Sequence, residues 1–244
     1  MMTRLRLFLL ATVSSTALTA NAVAADMQMP AKAPPSVAPV VTWSGPYAGF
    51  SLGAAFNKSS FTDVDQFFFL LPGGRNNEFW NNSHAAFTGG VLLGYNWQVG
   101  SFVLGIEGDW NWMNGKTTAT IPSAIPVFAS SDLNWMSTVR GRIGYAVMPL
   151  TLLYATGGIA WARFSDAWGS PSNVNFVMSD NYKRTGWTVG GGIEHMFAPH
   201  WSARAEILYA NFGTHEVVST FGGFYRTDFQ HSVTQMRGAL IAKW

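Results

Sequence analysis

The sequence predicts an all-β chain, an eight-stranded antiparallel β-barrel that spans a membrane, and three observations carry this. Apolar residues alternate with small or polar ones over eight segments. The connections between segments are short and long by turns, and the charged residues of the segments share one face. Period-2 alternation is the mark of a strand whose two faces meet different surroundings.

The first strand, about residues 47–56, sets Ala48, Phe50, Leu52, Ala54 and Phe56 on one face. The second sets Phe87, Val91, Leu93, Tyr95 and Trp97 against Thr88, Leu92, Asn96 and Gln98. In the third, Phe102, Leu104, Ile106, Trp110 and Trp112 oppose Glu107, Asp109 and Asn111. The fourth opposes Trp135, Val139, Ile143 and Tyr145 to Thr138, Arg140 and Arg142. A fifth strand is expected over about 150–163. The sixth has Trp187, Val189 and Ile193 against Thr188 and Glu194, and the seventh Trp201, Ile207 and Tyr209 against Ser202, Arg204 and Glu206. The eighth closes the chain, with Met236, Leu240 and Trp244 against Arg237 and Lys243. Residues 143–162 form a charge-free stretch that could be taken for a membrane helix, but Pro149 at its centre and Gly157-Gly158 favour a hairpin.

Tight turns are expected at Val99-Gly100, at Val147-Met148-Pro149 and from Phe197 to His200, and long loops over about 57–83, 113–131, 164–183 and 213–230. Short turns on the periplasmic side and longer loops outside are the habit of outer-membrane barrels. An even number of strands then leaves both termini in the periplasm. Alternation alone would also suit a soluble barrel, which keeps its charges on the outside. Here the aromatic face carries none of them. Glu107, Asp109, Arg140, Arg142, Glu194, Arg204, Glu206, Arg237 and Lys243 all fall on the other face. That order is inside-out, as lipid requires.

Two aromatic girdles follow at the levels of the lipid headgroups. One, near the turns, takes Tyr47, Tyr95, Trp97, Phe102, Tyr145, Trp201 and Trp244; the other takes Phe56, Phe87, Trp110, Trp112, Trp135, Trp161, Trp187 and Tyr209. Five basic against four acidic residues inside nearly cancel. A barrel of about eight strands is just wide enough for side chains to fill. A paired polar plug is therefore the expected role of these residues, and a narrow gated conduction path the alternative.

Arg4 and Arg6, the uncharged run from Leu7 to Ala20 and the small residues before Asp26 read as a secretory signal peptide over 1–25, cleaved after Ala24 or Ala25. Its loss leaves 13 Lys+Arg against 13 Asp+Glu (15 less Arg4 and Arg6, against 13), so no basic balance points to nucleic acid. Residues 26–42, with Pro30, Pro34, Pro35 and Pro39, read as a Pro/Ala-rich periplasmic linker, and 43–244 as the barrel. Charged residues make up 11% of the chain against ~25% in ordinary soluble domains, and aromatics 15%.

No catalytic, metal or cofactor site is expected. Ser83-His84 and His231-Ser232 are adjacent in sequence, but a nucleophile and its base need facing side chains and a third, orienting group. His195 falls on the lipid face, the histidines lack metal spacing, and Gly190-Gly191-Gly192 lies inside a strand. Phe67, Phe68 and Phe69 stand together in a long loop, as a candidate surface contact or as packing among loops.

The segments WSGPYAGFSLG, GVLLGYNWQ, GIEGDWNW, LNWMSTVRGRIGYA, LLYATGGIAWA and RTGWTVGGGIEHMFAPHWSARAEILYANFG, in that order over 43–244, resemble the porin-like and opacity-like outer-membrane protein family, in its alphaproteobacterial surface-antigen branch. The resemblance implies a barrel of the Gram-negative outer membrane embedded in its lipid. It also implies a part in envelope integrity or contact with a host or surface ligand through the outer loops; some members are described as haem-binding. It implies recognition of the last strand by the barrel-assembly machinery, with Trp244 where a terminal Phe is usual. Pro46 and His195 also depart from the family's pattern, in which an aromatic residue and a Tyr are common. A structural or surface-interaction barrel is the expectation, with a small-solute porin or a ligand-binding barrel as the alternative.

Overall fold

In the computed structural model the described residues are 42–63, 80–121, 127–170, 173–219 and 225–244. The expected signal peptide, all but the last residue of the expected linker, and Phe67, Phe68 and Phe69 lie outside them. Eight antiparallel strands close into one barrel in sequence order: β1 (Gly45–Asp63), β2 (Trp80–Val99), β3 (Phe102–Ile121), β4 (Val127–Met148), β5 (Thr151–Ser170), β6 (Asn173–Ala198), β7 (Trp201–Ser219) and β8 (Tyr225–Lys243). β1 pairs with β8 from Tyr47↔Lys243 to Asp63↔Thr227, so no strand edge is left open. Closure matters in lipid, where an unpaired backbone group has no water to turn to.

The short connections shrink to two residues each, Gly100-Ser101, Pro149-Leu150 and Pro199-His200. Gly100 sits at φ 60, a left-handed value that suits glycine in a tight hairpin. The uncharged stretch 143–162 is a hairpin of β4 and β5 turning at Pro149-Leu150.

The strands run farther outward than the alternation indicates. About 9–11 residues cross a bilayer as a tilted strand. These strands have 19 to 26 residues, and the surplus lies beyond the outer aromatics. Residues expected in loops, such as 57–63, 113–121, 164–170 and 173–183, are paired strand. Above the lipid the outer face need not be apolar, so alternation fades while backbone pairing continues. Local irregularities lie near that level: the register shifts between Trp112 and Gly115 against β4, and between Asn211 and Thr214 against β8, where Gly213 has φ 69.

The outer wall is apolar: Phe50, Leu93, Ile106, Val139, Ile159, Ile207 and Leu240 are all exposed. Tyr95, Trp97, Phe102, Tyr145, Trp201 and Trp244 face outward near the turns, and Phe56, Phe87, Trp110, Trp112, Trp161 and Trp187 face outward at the other level. Tyr47 is the exception to the expected girdles. It is 3% exposed and points into the lumen. Its odd position on β1 is opposite in parity to Phe50 and Leu52, so strand geometry alone excludes it from the lipid face.

Folded protein kept below boiling is expected to migrate differently from boiled protein on a denaturing gel, with a β-type circular dichroism spectrum. Unchanged migration with a helical spectrum would contradict the barrel.

Candidate functional site

The candidate site is the interior. Three opposite-charge pairs stand directly across adjacent strands: Glu107↔Arg140 between β3 and β4, Glu194↔Arg204 between β6 and β7, and Glu206↔Arg237 between β7 and β8. Cross-strand neighbours of this kind are the unit of attraction in a sheet. Asp109 and Arg142 complete the group from β3 and β4. All eight are buried, at 1% to 6% exposure.

Glu107 is the hub. It pairs with Arg140 Nη2 and Arg204 Nη1, approaches Arg237 Nη2 at 3.8 Å and Arg142 Nη1 at 4.0 Å, and accepts a hydrogen bond from the Tyr47 hydroxyl at 2.8 Å. All four guanidinium groups therefore lie within ion-pair reach of one carboxylate. Asp109 pairs with Arg140 at 2.8 Å and Arg237 at 3.1 Å, and accepts from Thr138 Oγ1 at 2.7 Å and Asn111 Nδ2 at 2.6 Å. Glu194 takes Arg142 at 3.1 Å, Arg204 at 3.0 Å and the Ser202 hydroxyl at 2.7 Å. Glu206 takes Arg237 at 2.6 Å, Arg140 at 3.1 Å and the Tyr154 hydroxyl at 2.7 Å. Four carboxylates meet four guanidinium groups, so the cluster is formally neutral (4 − 4 = 0).

Lys243, grouped with these residues by its parity, stands apart. It is buried, but its Nζ donates to the Thr42 carbonyl at 3.3 Å and lies 4.6 Å from the Trp43 ring centre. Lys243 is the last residue of β8, opposite Tyr47 on β1, too near the periplasmic end to join the ion pairs.

Two tyrosines, Tyr47 and Tyr154, flank the arginines, and Arg142 lies 4.0 Å above the Tyr154 ring. Glycines make room for both rings. A Cβ on Gly94 would collide with the Tyr47 ring, and one on Gly192 would come within 2.7 Å of the Tyr154 hydroxyl.

Apolar layers lie on either side of the cluster. On the turn side, Trp43 is fully buried with Val103, Leu152 and Met196. The chain reaches that position by turning at Gly45, whose φ of 124 disfavours any side chain, and the Trp43 amide donates to Gln98 Oε1 at 2.7 Å. On the outer side Met113, Leu133, Met136, Phe164, Phe212 and Val233 form a second layer. His231 lies in it, stacked on Phe164 at 4.4 Å, with its ring nitrogens 3.1 Å from Ser59 Oγ and 3.1 Å from the Tyr182 hydroxyl. Ser232 faces the other side of the strand, so it is Ser59 that meets His231; the side chains of Ser83 and His84 lie outside the described ones. Exposed His195 faces outward and contacts Thr151 Oγ1 at 3.0 Å. Among the described residues, no group of three or more His, Cys, Asp or Glu is placed to hold a metal.

The sequence reading puts Tyr47 in the lipid-facing girdle and singles out neither Trp43 nor Tyr154. For the tyrosines strand parity is the signal that finds them, since both fall on the inward face of their strands. For Trp43 there is none, because it precedes the first strand.

A closed barrel with an apolar, aromatic-girdled exterior and a charged interior defines a β-barrel protein of the Gram-negative outer membrane. The chain belongs to the family described as the outer membrane protein beta-barrel domain, whose model matches residues 10–234. It is 32% identical over 218 residues to a 31 kDa outer-membrane immunogenic protein of Brucella melitensis, covering 84% of this chain and 86% of that protein. A 25 kDa outer-membrane immunogenic protein of Brucella abortus is 30% identical, covering 82% and 79%. A 22 kDa outer membrane protein of Rhizobium leguminosarum is 30% identical, covering 64% and 67%. These relatives agree with the alphaproteobacterial surface-antigen branch.

Removing one partner of a buried ion pair strands the other charge, at a cost of about 3–5 kcal/mol. Glu107→Ala is therefore expected to lower stability by about that amount in urea unfolding of the vesicle-inserted barrel, followed by tryptophan fluorescence. Lys243→Met, which strands no carboxylate, is expected to cost distinctly less. Equal losses would contradict the hub role of Glu107.

Proposed function

We propose that the protein is a non-conducting structural barrel of the envelope, whose outer strand extensions and loops present a surface to the cell exterior. The observation that carries this is the neutral eight-residue cluster lying between two buried apolar layers. A hydrated ion would have to break several charge-assisted hydrogen bonds and then cross both layers, with no water to replace what it loses. The small-solute pore has no comparable support, since the interior of a barrel of about eight strands is filled by its own side chains.

The lengthened strands favour a surface role, because pairing continued above the lipid makes a rigid stalk for the loops. The Brucella relatives are described as immunogenic, which agrees with exposed outer segments. Phe67, Phe68 and Phe69 are the proposed apolar contact for a host or surface ligand. In the same reading residues 1–25 direct export, 26–42 form a periplasmic tether, and the 70%-exposed Trp244 offers the assembly machinery an aromatic end. No catalytic role is proposed for His231, which is packed against Phe164.

Purified, heat-modifiable protein placed in planar lipid bilayers is expected to give no stable single-channel steps. A large, stable open channel would defeat the proposal and restore the porin reading.

A further inference from the structure

Among the residues whose side chains are described, few charged ones face outward. Among the described residues, those that are exposed are Lys58, Arg163 and Lys183, and all are cationic. Arg163 on β5 and Lys183 on β6 are direct cross-strand partners. They point away from the lumen, since Ala162 and Phe164 on either side of Arg163 are fully buried. Like charges directly opposite each other on one face repel. Neither side chain has a hydrogen bond or ion pair with any described residue, and the half-buried Asp132, opposite Ser165 and one step farther out, pairs with neither.

Their level in the wall is informative. Outward residues of β5, taken from the membrane outwards, are Ile159, Trp161, Arg163 and Ser165; on β6 they are Trp187, Thr185, Lys183 and Asn181. Ile159 and Trp187 are cross-strand partners, as are Trp161 and Thr185, Arg163 and Lys183, and Ser165 and Asn181. The surface thus passes from apolar to interfacial aromatic, then to cationic, then to neutral polar. In the last step Asn134 Nδ2 donates to Ser165 Oγ at 3.2 Å, and Ser165 Oγ to Asn181 Oδ1. Adjacent positions on one face of a strand are about 7 Å apart, so the cations lie just above the aromatic girdle, at headgroup depth.

We propose that this strip of β5 and β6 binds a phosphorylated glycolipid of the outer leaflet. Its acyl chains lie along Ile159 and Trp161, its phosphate sits between Arg163 and Lys183, and its sugar meets Ser165, Asn181 and Asn134. The phosphate turns a repulsive pair into a bridged one, with the guanidinium supplying the directional contacts and the ammonium a point charge. The site does not depend on whether the barrel conducts.

The test is native mass spectrometry of the folded protein in detergent micelles, titrated with diphosphorylated lipid A, with its fully dephosphorylated form and with inorganic phosphate. Wild-type protein is expected to retain the diphosphorylated lipid in preference to the dephosphorylated one. Arg163→Gln/Lys183→Gln, shown to be folded by heat-modifiable migration, is expected to bind it about 30-fold more weakly. Lys58→Gln, on the distant β1, should bind as wild type, and Arg163→Lys should retain most of the affinity. Equal binding by the double variant, equal retention of the dephosphorylated lipid, or displacement of the lipid by millimolar inorganic phosphate would each overturn the proposal.

Discussion

The rest of the structure depends on one constraint: charges placed inside a narrow barrel must be neutralised there. An isolated ion moved into a low-dielectric interior is costly by many kcal/mol, and pairing with good geometry is what makes its presence tolerable. Glu107, Asp109, Glu194 and Glu206 meet Arg140, Arg142, Arg204 and Arg237 in one connected cluster. A buried pair of this sort often adds little net stability over an apolar substitute. Its consequence here is specificity. Slipping any of β3, β4, β6, β7 or β8 by one residue would turn its ions to lipid and its aromatics into the lumen. The Arg204 to Glu107 contact spans the interior from β7 to β3, so the cluster ties together strands that are not neighbours.

The surrounding features follow from that requirement. Tyr47 and Tyr154 bring hydroxyl donors to Glu107 and Glu206, and their rings fit only because Gly94 and Gly192 lack side chains. Trp43 with its apolar neighbours on one side, and the layer around Phe164 on the other, bound the ion pairs above and below, and a low-dielectric setting of that kind strengthens charge-assisted hydrogen bonds. The low charge content of the whole chain has the same origin. Charges are tolerated in the pairing cluster or above the lipid, and little between.

Much of the fold was legible because strand parity is a rigid code. The spacing of Glu107 and Asp109, of Arg140 and Arg142, and of Arg204 and Glu206 puts each pair on one face, and the two-residue turns leave little freedom in register. Parity says which face a residue takes but not how deep it lies, so Lys243 looked like a member of the cluster although it lies at its edge. Tyr47 was misplaced when its aromatic character was weighed above its parity. The outer ends of the strands were hidden for a different reason. Water surrounds them, so residues such as Ser165 and Asn181 lose the apolar alternation while their backbone stays paired. Trp43 could not be read at all, since its position depends on a turn at Gly45 and not on a strand pattern.

The proposed non-conducting barrel requires that water does not pass the ion-pair cluster. Thr138, fully buried between Asp109 and Arg140, is the place to ask, and the chain has no cysteine to interfere. A Thr138→Cys variant, folded in lipid vesicles and exposed to a charged, water-soluble thiol reagent, is predicted to stay unmodified until the barrel is unfolded. Rapid modification in the folded state would show a water-filled path through the lumen and contradict the account.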